Sequence, residues 1–230
     1  MDILNKLDFS LISKVCISRP QADHSVEQYL MTTESMYAQL NVCRDFLLNK
    51  KVVFLGDDDH LSILASKLFN TNSTVIEIDP RIIENQKNLE KNLNLKHHKV
   101  ISYDIRNSLK KLDLKKFDGF VANPPYGSKN EAYGAKVWLS RALEILEPQS
   151  TGLLILPINF DLPWSIKNML KVQEFLTSND SLVVKIDNDI HTYEDLPDLN
   201  LRSSNIWIHY IGTAKNLIPA LAKEKNVYRI

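Results

Sequence analysis

Several signals are missing from this 230-residue chain, and each absence narrows its function. It has two cysteines, Cys16 and Cys43, with no partners at metal-ligand spacing. That fits free thiols in a reducing, cytoplasmic compartment. There is no run of roughly 18 apolar residues and no charged-then-apolar leader, so neither membrane insertion nor export is expected. The sequence holds no Walker loop for phosphates and no Ser-His-Asp or Cys-His pattern of a nucleophilic hydrolase. Charge of one sign is lacking too: 28 basic residues meet 28 acidic ones. No basic surplus therefore announces a nucleic-acid partner, although a local basic groove can sit inside a neutral total. His97, His98, His191 and His209 have no partners at ligand spacing and read as structural or surface residues, so no metal site is expected.

What is present is an alternation of short apolar runs with amphipathic stretches, at 44% hydrophobic and 24% charged residues. Such alternation predicts an α/β domain with a largely parallel sheet. Strands are expected at 52–55, 74–79, 100–104, 117–122, 152–157, 182–186 and 206–211. Helices are expected at 61–69, 81–93 and 135–146. Residues 1–50 read as a helical segment packed on the domain formed by 51–230, one domain in all. The polar stretch 187–204 reads as a loop or flap. The expected fold class is Rossmann-like α/β of the class I type: seven strands, mainly parallel, with helices on both faces.

In open α/β sheets a ligand sits beyond the carboxyl ends of the strands, near the point where strand order reverses. Polar residues fall at four such ends. Gly56-Asp57-Asp58-Asp59 follows the first strand, Glu77 and Asp79 end the second, Asp104 ends the third, and Asn123-Pro124-Pro125-Tyr126 ends the fourth. Glu77 is placed to take ribose hydroxyls, with Asp79 as the alternative or as a helix cap. Asp104 suits an adenine amine. In Asn123-Pro124-Pro125-Tyr126 two prolines stiffen the turn and leave its carbonyls free. The Asn123 oxygen and a proline carbonyl then accept both hydrogens of an amine, and Tyr126 offers a face for a flat ring. Gly127 lets the chain bend away or a substrate approach. Trp164 is a candidate for the substrate entrance. Trp138 and Trp207 read as packing aromatics, and His60 as a surface residue at a helix start.

Two likenesses meet at these residues. Asp23, Gln28, Thr33 and Glu34, the turn Gly56-Asp57-Asp58-Asp59, Tyr103 to Arg106 and the run from Phe117 to Pro125 resemble the catalytic domain of bis-aminopropyl spermidine synthase, the branched-chain polyamine synthase. That resemblance covers roughly residues 19 to 157. It implies aminopropyl transfer from decarboxylated S-adenosylmethionine to a polyamine nitrogen, with an acid of the turn acting in catalysis. By that likeness Asp57, Asp58 and Asp59 are substrate-side residues; as site candidates Asp58 is taken as catalytic, Gly56 and Asp57 as cofactor-binding and Asp59 as substrate-binding. Asn123-Pro124-Pro125-Tyr126 and Val75 to Pro80 are similar instead to amino-methyltransferases acting on adenine. That likeness implies S-adenosyl-L-methionine as cofactor and Asn123, Pro124 and Tyr126 as the catalytic set, with Pro125 and Gly127 beside the substrate. The usual methyltransferase turn has a second glycine where this chain has Asp58. Three carboxylates there repel the carboxylate of S-adenosylmethionine and attract a donor that lacks it, or a polycation. Methyl transfer to an amino nitrogen is the first expectation, with aminopropyl transfer as the alternative and a silent ligand-binding relative as the third. The partner is an amine, either nucleic-acid adenine or a polyamine.

Overall fold

A computed structural model describes residues 7–127, 129–196, 201–212, 214–221 and 227. Its sheet grows from four apolar runs with little polar interruption. β1 (Lys51–Leu55), β2 (Asn72–Glu77), β4 (Phe117–Ala122) and β5 (Leu146–Leu156) bury most of their side chains on both faces, as central parallel strands do. β3 (His98–Ser102), β6 (Ser181–His191) and β7 (Ser203–Tyr210) complete the order β3-β2-β1-β4-β5-β7-β6. All pairs are parallel except those of β7, which runs antiparallel to both its neighbours.

The helices follow from the connections. α3 (Leu61–Phe69) and α4 (Pro80–Asn92) join strands that step away from β1 in one direction. α5 (Tyr133–Ile145) and α6 (Pro163–Thr177) follow strands that step the other way. Right-handed crossovers in opposite directions put the two groups on opposite faces. α4 starts where local chemistry demands, with Asp79 accepting the Arg81 N–H and Pro80 in its first turn. Ahead of the sheet, α1 (Phe9–Ile17) is capped by Asp8 and α2 (Thr33–Leu47) by Thr32, and the two pack on each other, with α2 also against α3 and β6.

Two expectations need correction. The stretch 187–204 is strand at both ends: β6 reaches His191 and β7 begins at Ser203, so the connection is shorter than the polar composition implied. Of that connection, 197–200 lies outside the described residues. Composition misled here because β6 is a half-exposed edge strand, whose outward positions tolerate Lys185, Asp187 and Asp189. His60 is not on the surface. It is fully buried in a left-handed backbone conformation, with Nε2 2.8 Å from Asn85 Oδ1.

Between β4 and β5 the packing leaves no room for a side chain at Gly152. A Cβ there would stand 1.8 Å from Cε1 of Phe120, a buried β4 residue. Gly152→Ala is expected to cost about 2 kcal/mol by overpacking. A lower denaturant midpoint with unchanged slope would show it; an unchanged midpoint would mean that Phe120 swings aside freely.

Candidate active site

Strand order reverses between β1 and β4, and the carboxyl ends of these strands open into a cavity of about 360 Å³. Its wall includes Gly56, Asp57, Asp58, Glu77, Asp79, Asn123, Pro125 and Trp138. A second cavity of about 250 Å³ adjoins it and reaches Tyr103, Asp104, Ile105 and Arg106 at the β3 end. The two share Val26, Gly56, Glu77, Ile78 and Trp138.

The acidic turn splits its three carboxylates among three tasks. Asp57 is turned inward and starts α3: Oδ1 accepts the Leu61 N–H at 2.9 Å, and Oδ2 accepts from Ser62 N, Ser62 Oγ and Gln86 Nε2. Burial nevertheless pushes its pKa up to about 8, against the bonds from Ser62. Asp59 leaves the cavity altogether and meets buried Arg19 at 2.9 Å and the Met31 N–H at 2.7 Å. The substrate-side expectation for Asp59 is thereby corrected, because a buried guanidinium has claimed it. Asp58 lies half-buried on the cavity wall, and of the three carboxylates its own alone has no hydrogen bond among the described residues. Burial, then Asp59, Glu77 and Asp57, hold its pKa well above the usual carboxylate range.

Glu77 braces the turn from β2. Its Oε1 accepts the N–H groups of Ile78 (2.7 Å) and Asp79 (2.9 Å), and Oε2 accepts that of Asp57 (3.2 Å). Burial raises its pKa against those bonds. Asp79 takes the capping part foreseen for it and also holds Arg81 and Gln28. Asp104, on the second cavity, pairs with Arg106 at 2.7 Å. Gly56 has φ +69°, which lets the chain leave β1 against the Trp138 ring.

At the end of β4, Asn123 and Pro125 face the first cavity, and no hydrogen bond among the described residues reaches the Asn123 amide. Pro124 is buried and lies outside the lining. Tyr126 is not an open stacking platform. Its hydroxyl donates to Tyr193 and accepts from Ser203 at 3.0 Å, and these interior partners draw the ring off the cavity wall, where it stacks near Tyr29. Gly127, with φ +65°, is also buried off the wall, and a Cβ there would stand 2.3 Å from Asn130 Oδ1. Trp164 packs half-buried on the core and lines neither cavity.

Sequence reasoning missed two contributors. Trp138 of α5 lines both cavities and donates from Nε1 to the Leu55 carbonyl at 3.1 Å, although helical periodicity marks it only as apolar. Asn168 of α6 donates to the carbonyls of Tyr126 (2.7 Å) and Gly127 (3.1 Å), holding the proline turn from 42 residues away. No local signal identifies such a residue.

Comparison with known proteins agrees with this geometry. A model of the branched-chain polyamine synthase A C-terminal domain matches residues 2–210. N(4)-bis(aminopropyl)spermidine synthase of Methanocaldococcus jannaschii is 32% identical over 134 residues, 56% of this chain and 37% of that protein. The enzyme of the same name from Thermococcus kodakarensis is 30% identical over 110 residues, 46% of this chain and 31% of that protein. The chain thus spans well under half the length of these relatives. Among solved structures, the branched-chain polyamine synthase from Thermus thermophilus, in complex with N4-aminopropylspermidine and 5'-methylthioadenosine, superposes with a TM-score of 0.81 at 20% identity. The match covers 96% of this chain and 68% of that one. A putative RNA methyltransferase from Pyrococcus horikoshii superposes with a TM-score of 0.68 at 16% identity, covering 89% and 97%. The fold is the Rossmann-like class I fold that the sequence predicted. The sequence relatives named here are polyamine synthases, whereas the likeness to methyltransferases is one of fold.

Proposed function

Because the chain belongs to the family of the branched-chain polyamine synthase A C-terminal domain, we propose that it transfers an aminopropyl group from decarboxylated S-adenosylmethionine to a polyamine nitrogen. This reading takes the place of methyl transfer as first choice. The observation that carries it is the acidity of the cavity: the carboxyl groups of Asp23, Glu27, Asp57, Asp58, Glu77 and Asp79 line it with one arginine, Arg81, among the described residues, and a bound cation favours the ionised form of those whose pKa burial has raised. Arg81 is itself spoken for by Asp79 at 2.6 Å. Like charges about 4 Å apart near a protein surface repel by about 4 kcal/mol, and opposite charges attract by as much. Such a wall disfavours the carboxylate of S-adenosylmethionine and the phosphates of nucleic acid, and it favours a cationic amine.

The nucleoside of the donor lies against Gly56, Ile78 and Trp138, with Glu77 accepting from the ribose hydroxyls and Asp104 from the adenine amine. Asn123 accepts a hydrogen of the acceptor amine and so aims the nitrogen lone pair. That nitrogen bonds to the aminopropyl carbon attached to sulfur. The carbon–sulfur bond breaks with its electron pair kept by sulfur, releasing 5'-methylthioadenosine, and the alkylated ammonium then loses a proton. Alignment in a closed pocket supplies most of the rate. Asp58 holds the positive charge of the reacting amine.

Calorimetric titration with decarboxylated and intact S-adenosylmethionine tests the donor, and formation of 5'-methylthioadenosine with spermidine tests the transfer. Tighter binding of the decarboxylated donor is expected; preference for the intact one would return methyl transfer to first place. Asn123→Ala is expected to lower turnover about a hundredfold, as loss of a single positioned hydrogen-bonding group does, with little change in donor affinity. Equal losses in both would make Asn123 a donor-binding residue.

A further inference from the structure

Behind the acidic turn lies a file of side chains that alignment of donor and acceptor does not use. Asp57 stands on the cavity wall, and Ser62 Oγ lies 2.5 Å from its Oδ2. The same Oγ is 2.9 Å from Nε2 of His98. Nδ1 of His98 is 3.4 Å from Oε2 of Glu90, the longest link. The His98 side chain is 0% exposed, whereas that of Glu90 is 33% exposed. Four residues on four elements (the turn after β1, then α3, β3 and α4) thus run unbroken from the cavity to solvent.

A Ser-His-carboxylate order also suits a hydrolytic nucleophile, but Ser62 is fully buried and lines neither cavity, so no substrate carbonyl reaches it. A purely architectural task is poorly served as well, since burying an imidazole between a hydroxyl and a carboxylate carries a desolvation cost that an apolar contact avoids. Burial lowers the pKa of His98 and raises that of Asp57 to about 8. With its pKa lowered by burial the imidazole rests neutral, so it can take a proton at Nε2 only as it gives up the one at Nδ1. Glu90 of α4 is the charged group that acts on His98, and Ser62 of α3 faces it from the other side.

We propose that Asp57, Ser62, His98 and Glu90 form a proton exit relay, carrying to solvent the proton released when the acceptor nitrogen is alkylated. For its source of protons the relay rests on the transfer reading above. The acceptor nitrogen's proton passes to Asp57 Oδ2; the Ser62 hydroxyl, which donates to that oxygen at rest, turns to accept from it and gives its own proton to His98 Nε2, and the Nδ1 proton of His98 passes to Glu90 and then to water. Only O–H and N–H bonds are made and broken, and nothing is oxidised or reduced. The file resets when the Ser62 hydroxyl turns and the imidazole exchanges its ring proton. Ser62 and His98 do not touch substrate; they act through Asp57.

Two measurements test the relay. First, in a single turnover followed with a pH indicator, proton release in the wild-type protein keeps pace with 5'-methylthioadenosine formation. His98→Gln should slow turnover by at least about tenfold with the donor KM unchanged. His98→Ala supplied with substituted imidazoles should regain rate in step with their basicity; rescue indifferent to basicity, or none in a folded variant, overturns the relay. Second, nuclear magnetic resonance of the His98 ring nitrogens is followed as spermidine alone is added. The ring signal should shift in the wild-type protein and stay still in Ser62→Ala. No shift in the wild-type protein overturns the relay whatever the transfer assay gives. A shift without any 5'-methylthioadenosine from any polyamine sinks the transfer reading and leaves the coupling standing.

Discussion

Asp58→Asn is expected to lower kcat/KM for a polyamine acceptor by about two to three orders of magnitude. Among the carboxylates of the acidic turn, Asp58 is the one left without a hydrogen bond among the described residues while facing the cavity. The asparagine keeps its shape and removes its charge. Removing one partner of a buried ion pair costs about 3–5 kcal/mol, and for half-buried Asp58 the lower part of that span, about 3–4 kcal/mol, sets the range. The same variant should bind intact S-adenosylmethionine better than the wild-type protein does, because the repulsion of its carboxylate is gone. A pH effect follows with a definite sign. In the empty cavity, burial and the neighbouring carboxylates hold the Asp58 pKa high, so a bound cation displaces a proton. Polyamine affinity therefore rises as pH climbs through that raised pKa, and Asp58→Asn flattens the rise. Calorimetry in two buffers of different ionisation enthalpy reads the proton count directly. Unchanged acceptor kinetics and unchanged proton release in the variant would remove Asp58 from the reaction.

Arg19→Met should produce the largest loss of stability. The Arg19 guanidinium is buried and ties together four parts of the chain: the Cys16 carbonyl at the end of α1, the Met31 carbonyl ahead of α2, Asp59 after β1, and Glu194 after β6. Breaking a buried pair from one side leaves the other charge uncompensated, at about 4 kcal/mol. Burial raises the pKa of Asp59 and Arg19 holds it back, to about 6, still above the unfolded carboxylate value. Stability from a raised carboxyl pKa is present below the unfolded pKa and lost as pH rises through the folded one. The defect of Arg19→Met should therefore be worst in mildly alkaline solution and shrink as pH falls towards about 6, below which Asp59 is protonated with or without Arg19. Asp59→Asn in the same background should recover part of the loss. Denaturation at two pH values checks both statements; a loss independent of pH would mean that the carbonyl contacts of Arg19, and not Asp59, carry its effect.

The acidic cavity favours the turn after β1 over the proline turn after β4. Read locally, the proline turn points to methyl transfer as the first expectation. In the folded chain Asn123 and Pro125 line the cavity, but Tyr126 is bound to Tyr193 and Ser203 and Gly127 is buried. Half of the motif thus serves packing. The acidic turn gains weight because Asp23 and Glu27 join it from a segment ahead of the sheet. Their distance in sequence hid that concentration of charge within a neutral total.

The sequence by itself determined the strand positions, the polar clusters at four strand ends and the capping of α4 by Asp79. Each of these is a local matter of hydrophobic period, chain reversal or a side chain reaching its own backbone. Tertiary structure alone decided which of Asp57, Asp58 and Asp59 stays free for a ligand. Three adjacent carboxylates are equivalent to a local reading. What separates them is a helix N-terminus that claims Asp57 and an arginine 40 residues away that claims Asp59. The same holds for Trp138, which becomes a wall of the site only because α5 is pressed against the end of β1. Burial and charge pairing depend on which distant elements meet, and that is fixed only when the sheet has closed around its core.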